Sequence, residues 1–488
     1  NGDPARFVAA DVAFHLCIAG ASGNEVLARM LTSIGQLLSD WIARVLNQPE
    51  SFMVTLAEHR AVLAAIAADT RDINAFCLID ADGARAQARA AGERWRDGRP
   101  LSALDGVPVS IKDLMNVAGW PTRRGSLAAA GDAPVPHDAP CVAPLRAAGC
   151  VLFGKTTTTE FGWQIGSTSP HAGTTRHPLD TSRSPGGSSC GAAAQVAAGW
   201  GPLALGSDAG GSVRIPASYG GLVGFKPTFG AIPVAPQSAF AEFAHMGPLT
   251  RSMDDAIAAM AVLSHPDVRD PSSLFARDAV ATTAMRPLRI GWTLQLGAEM
   301  QVSPVIADAF HALREQLAAA GHTLVLLPAA LAGTGCAADM WTVWASRVHE
   351  SFVAWPEAQR TKLGQGLQSV YADGAALNVD ALSRSRARLR DFSGQLAGAF
   401  ADFDLLLSPS TPSVAPPLQT DLSQVVNWFE DNGFSYPFNL TQQPALSLPL
   451  GRDARGLPFG LQVAGRKYHD AQVLGFGRTI ETLLAQHA

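Results

Sequence analysis

The sequence is poor in charge, and its charges do not lean to the positive side. Asp, Glu, Lys and Arg make up 16% of the 488 residues, and the net charge is −5. Binding to nucleic acid or to an anionic membrane surface needs a strong positive field, so neither is expected as a partner. No run of about 18 uninterrupted apolar residues occurs, so no membrane-spanning helix is expected. The longest uncharged stretch, Ser184 to Ser207, is rich in Gly, Ala and Ser and reads as loop and core. The six cysteines (Cys17, Cys77, Cys141, Cys150, Cys190 and Cys336) include no CxxC pair. That excludes a zinc ribbon and a disulfide framework and points to a reducing cytoplasm. The twelve histidines form no HExxH and no evident ligand cluster, so no metal and no cofactor is implied in the larger part of the chain. The amino end lacks the basic, apolar, small-residue progression of a signal peptide. Its start at Asn1, not Met, reads as a fragment or a processed product. The glycines have no period of three, and no 20–50-residue repeat is evident.

What is present is apolar mass: 47% of the residues are hydrophobic, enough for a large buried core. The length allows roughly two to four ordinary domains or one unusually large one. Residues 1–70 read as all-helical. Val12, Leu16, then Val26, Leu27, Met30, Leu31, Ile34, Leu37, Leu38, Trp41 and Ile42 recur at helical spacing, with breaks at Ala21–Asn24 and Asn47–Glu50. A third helix is expected over Ser51–Ala68. From Ile73 the texture changes. Short apolar runs at Ala75–Ile79, Val107–Ile111, Cys150–Phe153, Leu203–Leu205, Leu288–Trp292, His322–Leu327 and Leu405–Leu407 read as strands. They alternate with amphipathic helices such as Ala84–Trp95, Ser303–Ala320 and Val379–Ala401. Alternation of this kind predicts an α/β architecture with a sheet covered by helices on both faces.

Three segments carry the chemistry. Gly186-Gly187-Ser188-Ser189-Cys190-Gly191 is a glycine–serine loop that leads into an Ala-rich helix over Ala192–Ala198. Gly206-Ser207-Asp208-Ala209-Gly210-Gly211-Ser212 is a second such loop after the strand Leu203–Leu205. Adjacent glycines let several backbone N–H groups turn toward one point. A serine at the end of that turn has its hydroxyl beside them, which is what an acyl-transfer nucleophile with an oxyanion hole requires. The third segment ends in Lys112, at the close of the apolar run Val107–Ile111. A lysine buried there loses affinity for its proton and becomes a general base; a lysine that snorkels to the surface does not.

Two familiar patterns also match. Gly149 to Thr156 fits the phosphate-loop pattern GxxxxGK[ST]. Its intervening residues are apolar and read as strand, so their amides are taken up by a sheet and not by phosphate. Gly187 to Gly191 fits GxSxG with Ser189 as nucleophile, but Ser182–Pro185 is not the strand that scheme needs. Cys190 at a helix start is either a thiol nucleophile or a small residue where Gly would also serve.

Together these segments resemble the amidase signature family. The resemblance lies in Ser184 to Gly191, in Gly206 to Pro216, in Leu104 to Asp113, and in Gly154-Lys155-Thr156. It continues through Gly224 to Thr228, Gly247 to Arg251, Pro437 to Leu440 and Gly456 to Gln462. It spans about Ile73 to the end and implies a large mixed β-sheet with helices on both faces. It implies a Ser–cis-Ser–Lys triad with Ser212 as nucleophile, Ser188 as bridging serine in a cis peptide, and Lys112 as base. The amides of Ala209, Gly210, Gly211 and Ser212 would form the oxyanion hole, and Ser207 and Asp208 would support the triad. Cys190 stands where the family usually has Gly. Residues 1–70 instead resemble the effector-binding domain of GntR-type transcription regulators, through Asp11 to His15, Ala21 to Asn24 and Glu58 to Leu63. Asp11, His15 and His59 fit metal-binding places of that domain, but its last histidine and a winged helix are absent, so no functioning metal site is expected. The first 70 residues read as a regulator remnant, from a gene fusion or a gene-model fault, joined to a truncated amidase.

The expected function is therefore hydrolysis of a carboxamide C–N bond, without cofactor, in the cytoplasm, with a small-molecule amide as substrate and a homodimer as an open state. One alternative is the glutamine-hydrolysing A subunit of a tRNA-dependent amidotransferase. Another is an effector-binding regulatory protein with an inactive amidase part. The acyl pocket is expected from segments near Gly166–Gly173 and from about 290–435.

Overall fold

Apolar residues two apart in sequence give one sheet two buried faces. In a strand, successive side chains point to opposite sides. The computed structural model describes residues 72–273, 287–328, 331, 336–423 and 425–486. The three helices expected in residues 1–70, with Asp11, His15 and His59, lie outside the described residues.

The described elements begin with β1 (Phe76–Ile79), α1 (Ala81–Arg96), β2 (Pro108–Lys112), β3 (Val151–Thr156), β4 (Thr168–Ser169) and β5 (Gly173–Thr174). Next come α2 (Cys190–Ala197), β6 (Leu203–Asp208), α3 (Arg214–Gly220), β7 (Val223–Lys226), β8 (His245–Thr250) and α4 (Met253–Leu263). They are followed by β9 (Arg289–Trp292), α5 (Pro304–Ala319), β10 (Thr323–Leu326), α6 (Cys336–Phe352), α7 (Gln365–Ala376) and α8 (Val379–Ala399). The last are β11 (Leu405–Pro409), β12 (Ala445–Arg452), β13 (Pro458–Gly465) and α9 (Asp470–Ala485). Eleven strands form one sheet in the order β1-β3-β2-β6-β8-β7-β12-β13-β11-β9-β10, and β4 and β5 pair separately. The sheet is mixed. β3, β2 and β6 run parallel, as do β11, β9 and β10, and the pairs between β6 and β11 are antiparallel.

The two faces follow the alternation. Leu203, Leu205, Leu405, Leu407 and Val463 enter one core together with α4, α5 and α9. Their neighbours Leu406 and Ala464 enter a second core with α6, α7 and α8, and Ala204 packs with α2 and α3. The helices are capped by their own sequence. Asp80 accepts from the Gly83 amide at 2.9 Å, and Asn378 from the Ala381 amide at 2.8 Å. Among the described residues, the expected strands and helices from Ala75 onward are present within a few residues of their predicted ends. One expectation changes: Gly206, Ser207 and Asp208 belong to β6 and not to a loop. Their pairing with Gly247, Met246 and His245 of β8 carries the ladder onward to the residue before the glycine turn.

Candidate active site

The parallel strands β2 and β6 bring Lys112 and Ser207 side by side at their carboxyl ends, where the loops that follow converge. Ser188 and Ser189 arrive from the loop before α2. Gly187 is required there, because a side chain on it would overlap the carbonyl oxygen of Gly166. The Gly187–Ser188 peptide bond is cis.

Lys112 is fully buried, and its Nζ meets three hydroxyls: Ser188 Oγ at 2.7 Å, Ser207 Oγ at 2.9 Å and Ser189 Oγ at 3.0 Å. Burial pushes its amine down to about 7, against weaker upward influences from Cys190 and Asp208. A neutral lysine has two N–H donors and one lone pair, so three hydroxyl partners match it as an acceptor for one and a donor to two. Ser188, Ser207, Asp208, Ala209 and Ser212 line one cavity of about 150 Å³. The structure thus gathers Lys112, Ser188, Ser207 and Ser212 at one place. Ser189, singled out by the GxSxG pattern, turns inward: it accepts from Lys112 and donates to the Ser207 carbonyl at 3.2 Å.

Asp208 acts on the turn and makes no hydrogen bond to Lys112 or to the three serines among the described residues. It is fully buried and pairs with Arg214 through two contacts, Nη2 to Oδ1 at 2.9 Å and Nε to Oδ2 at 3.0 Å. Burial pushes its carboxyl upward, but the Arg214 guanidinium outweighs this and holds it well below the usual carboxylate range. Arg214 reaches on to Asn439 Oδ1 at 2.7 Å and Gln462 Oε1 at 2.8 Å. This network ties the turn to β13 and to the segment before β12. Arg214→Met leaves Asp208 as an unpaired buried charge. Such losses destabilise by about 3–5 kcal/mol, which urea unfolding is expected to register. A loss below about 1 kcal/mol contradicts the pairing.

One of the four expected oxyanion amides is directed elsewhere. The Gly211 N–H donates to Asp208 Oδ1 at 2.8 Å, because the carboxylate sits inside the turn. The amides of Ala209, Gly210 and Ser212 make no hydrogen bond among the described residues. Gly210 has no room for a side chain: a Cβ there would lie 2.5 Å from Trp428 Cη2. Gly210→Ala shifts the turn, and kcat is expected to fall about 10²-fold, since displacements near 1 Å reach that size. Unchanged kcat with an unchanged melting temperature would show that the amides here play no part.

The other sequence candidates separate from the site. Lys155 of the phosphate-loop pattern is in β3, fully buried, and ion-paired to Asp113 at 2.7 Å. Cys190 is buried at the first turn of α2, and burial pushes its thiol up. The segments expected to build the acyl pocket gather at another cavity. Ile165–Ser167, Glu299–Gln301, Pro412, Pro416, Trp428 and Asn432 are among the lining of a different cavity of about 550 Å³. The cavity over Ser212 is lined instead from 114–116, Arg124, Phe161, 234–240, Ala244 and Met246, because the connection between β7 and β8 folds across it. No group of three or more His, Cys, Asp or Glu side chains gathers for a metal, and no helix is long and apolar enough to cross a membrane, among the described residues.

This geometry can be set beside known proteins. The family model for amidases matches residues 59–474. The chain belongs to the amidase signature family. It is an amide-hydrolysing enzyme. It is 35% identical over 455 residues to the A subunit of the glutamyl-tRNA(Gln) amidotransferase of Chloroflexus aggregans, covering 88% of this chain and 92% of that protein. An acylamidase of Rhodococcus erythropolis is 32% identical over 444 residues, covering 87% of this amidase and 91% of the relative. Among solved structures, 6-aminohexanoate cyclic dimer hydrolase superposes with a TM-score of 0.77 at 28% identity, over 86% of this chain and 92% of that one. A second family model, the FCD domain, matches residues 1–76 and agrees with the resemblance to regulator effector domains.

Proposed function

We propose that this amidase cleaves its amide through Ser212 as nucleophile, Ser188 as bridging hydroxyl and Lys112 as base. The observation that carries this reading is the fully buried Lys112 amine, pushed down to about 7 and 2.7 Å from Ser188, in reach of a cavity that Ser188 and Ser212 share. Neutral Lys112 takes the hydrogen of Ser188 as Ser188 takes that of Ser212. Ser212 Oγ attacks the carbonyl carbon. The oxyanion meets the N–H groups of Ala209, Gly210 and Ser212, while Gly211 and Asp208 keep the turn in shape. The proton returns along the same path to the leaving nitrogen, ammonia or amine departs, and water hydrolyses the ester on Ser212. In this reading residues 71–488 form the catalytic domain, and the first 70 are a regulator-derived segment. The test is ammonia or amine release from a panel of amides, with mass spectrometry of protein quenched during turnover. An acyl adduct on the peptide that holds Ser212 is expected. Turnover with an adduct on another residue overturns the assignment.

A second reading is favoured by the 35% identity to the A subunit of an amidotransferase: release of ammonia from glutamine within a larger complex. It predicts glutaminase activity that rises when partner subunits are added, with little turnover of simple amides by the chain alone.

A further inference from the structure

We propose that the cavity over Ser212 takes a short amide that carries a carboxylate, held by Arg124 and Asn116. This rests on the amide-hydrolase reading above and adds the substrate class. The cavity is mostly apolar, with Leu114, Met115, Phe161, Val234, Phe240 and Met246 among its walls. Only two of its lining residues are charged, Arg124 and Asp208. Asp208 is paired with Arg214 at 2.9 Å, and Arg124 is paired through Nη1 alone with the half-exposed Asp132 at 2.9 Å, so what Arg124 offers the cavity is its remaining donors more than a bare charge. Guanidinium donors over apolar walls favour a ligand with a carboxylate over one with only apolar groups, because the carboxylate can accept two parallel N–H bonds.

The donors around it are ordered. Arg124 donates through Nη1 to the Thr122 carbonyl at 3.0 Å and to Asp132 Oδ2 at 2.9 Å. Its Nε and Nη2 make no hydrogen bond among the described residues. They form the side-on edge of the guanidinium, the geometry that grips a carboxylate with two parallel N–H···O bonds. A chain of bonds fixes how Asn116 faces. Lys155, ion-paired with Asp113 at 2.7 Å, donates to Thr122 Oγ1 at 2.8 Å. An ammonium cannot accept, so the Thr122 hydroxyl keeps its own hydrogen and donates it to Asn116 Oδ1 at 3.0 Å. With its oxygen so engaged, Asn116 has Nδ2 left as a donor, and Nδ2 has no acceptor among the described residues. Two sets of unengaged donors therefore belong to residues lining the same cavity as Ser212.

The test compares kcat/KM of the wild-type chain on two matched pairs. Succinamate against butanamide places the carboxylate on the acyl side, and N-acetylglycine against N-propylacetamide places it on the leaving amine. In one pair the carboxylate member is expected to be preferred at least about tenfold, and that pair tells which side Arg124 reads. Arg124→Gln is expected to cut this preference about tenfold or more, through KM, with kcat of the carboxylate substrate within about threefold. Arg124→Lys, which keeps the charge but loses the fork, should fall between, and it stands in if the Gln variant does not fold. Asn116→Ala should cut the preference about threefold. Equal turnover within both pairs overturns the proposal alone, as does an equal loss by Arg124→Gln on both members. Absence of hydrolysis of every amide in the wild type overturns the amide-hydrolase reading and this proposal with it.

Discussion

Ser212→Ala is expected to lower amide hydrolysis by about 10⁴- to 10⁶-fold, the range seen when the nucleophile of an acyl-transfer triad is removed. The size follows from the chemistry: without Oγ no ester forms, and the remaining catalysis comes only from substrate binding and the free amides of the turn. Folding should barely change. The Ser212 side chain is small, 5% exposed, and its hydroxyl makes no hydrogen bond among the described residues, so its removal strands no buried partner. Melting temperature within a few degrees of wild type, together with the collapse in rate, is the expected pair of results. The same variant separates the two amide-cleaving readings from an inactive regulatory protein, since both lose turnover at this serine. Residual activity above about 1% would mean that another group attacks the carbonyl.

Much of this site was legible in the sequence because its parts are local. Val107–Ile111 is a plain apolar strand, so it could be read that Lys112 ends a buried element. The two glycine–serine turns announce themselves by composition. What was not legible depends on distant residues. β8 contains Gly247 and Pro248, and β12 and β13 contain Pro449 and Pro458, so these segments are not among the strands expected from sequence. Without β8 as a partner the sequence shows the strand only as far as Leu205, which leaves Ser207 and Asp208 in a loop. The role of Asp208 was equally hidden. It pairs with Arg214 six residues on, but Asn439 and Gln462, which complete the network, lie more than 200 residues away. The Gly211 amide enters the expected oxyanion hole through the family resemblance, which places the turn but does not show which acceptor each amide meets.

Lys112 should govern both rate and stability, and in opposite senses. Its amine is pushed from 10.5 down to about 7 by burial, so the fraction of neutral base falls as pH drops below that value. Log kcat/KM is expected to rise with unit slope up to about pH 7 and then to level off. Lys112→Ala is expected to remove about 10²- to 10⁴-fold, the range for a general base, and the inflection near 7 with it. The stability effect has the other sign. Between about 7 and 10.5 the unfolded chain binds the lysine proton and the folded chain does not, so wild-type stability rises with pH across that window. Below about 7 both states are protonated, and the penalty for burying the ammonium is fully present. Lys112→Met gives an unbranched side chain one atom shorter that lacks the titrating group, so it should be more stable than wild type near pH 6. Its advantage should shrink steadily as pH rises toward 10. Urea unfolding of the two proteins at about pH 6, 8 and 9.5 measures this directly. A constant difference across that range would mean that Lys112 is not buried with a lowered proton affinity, and the base assignment would fall with it.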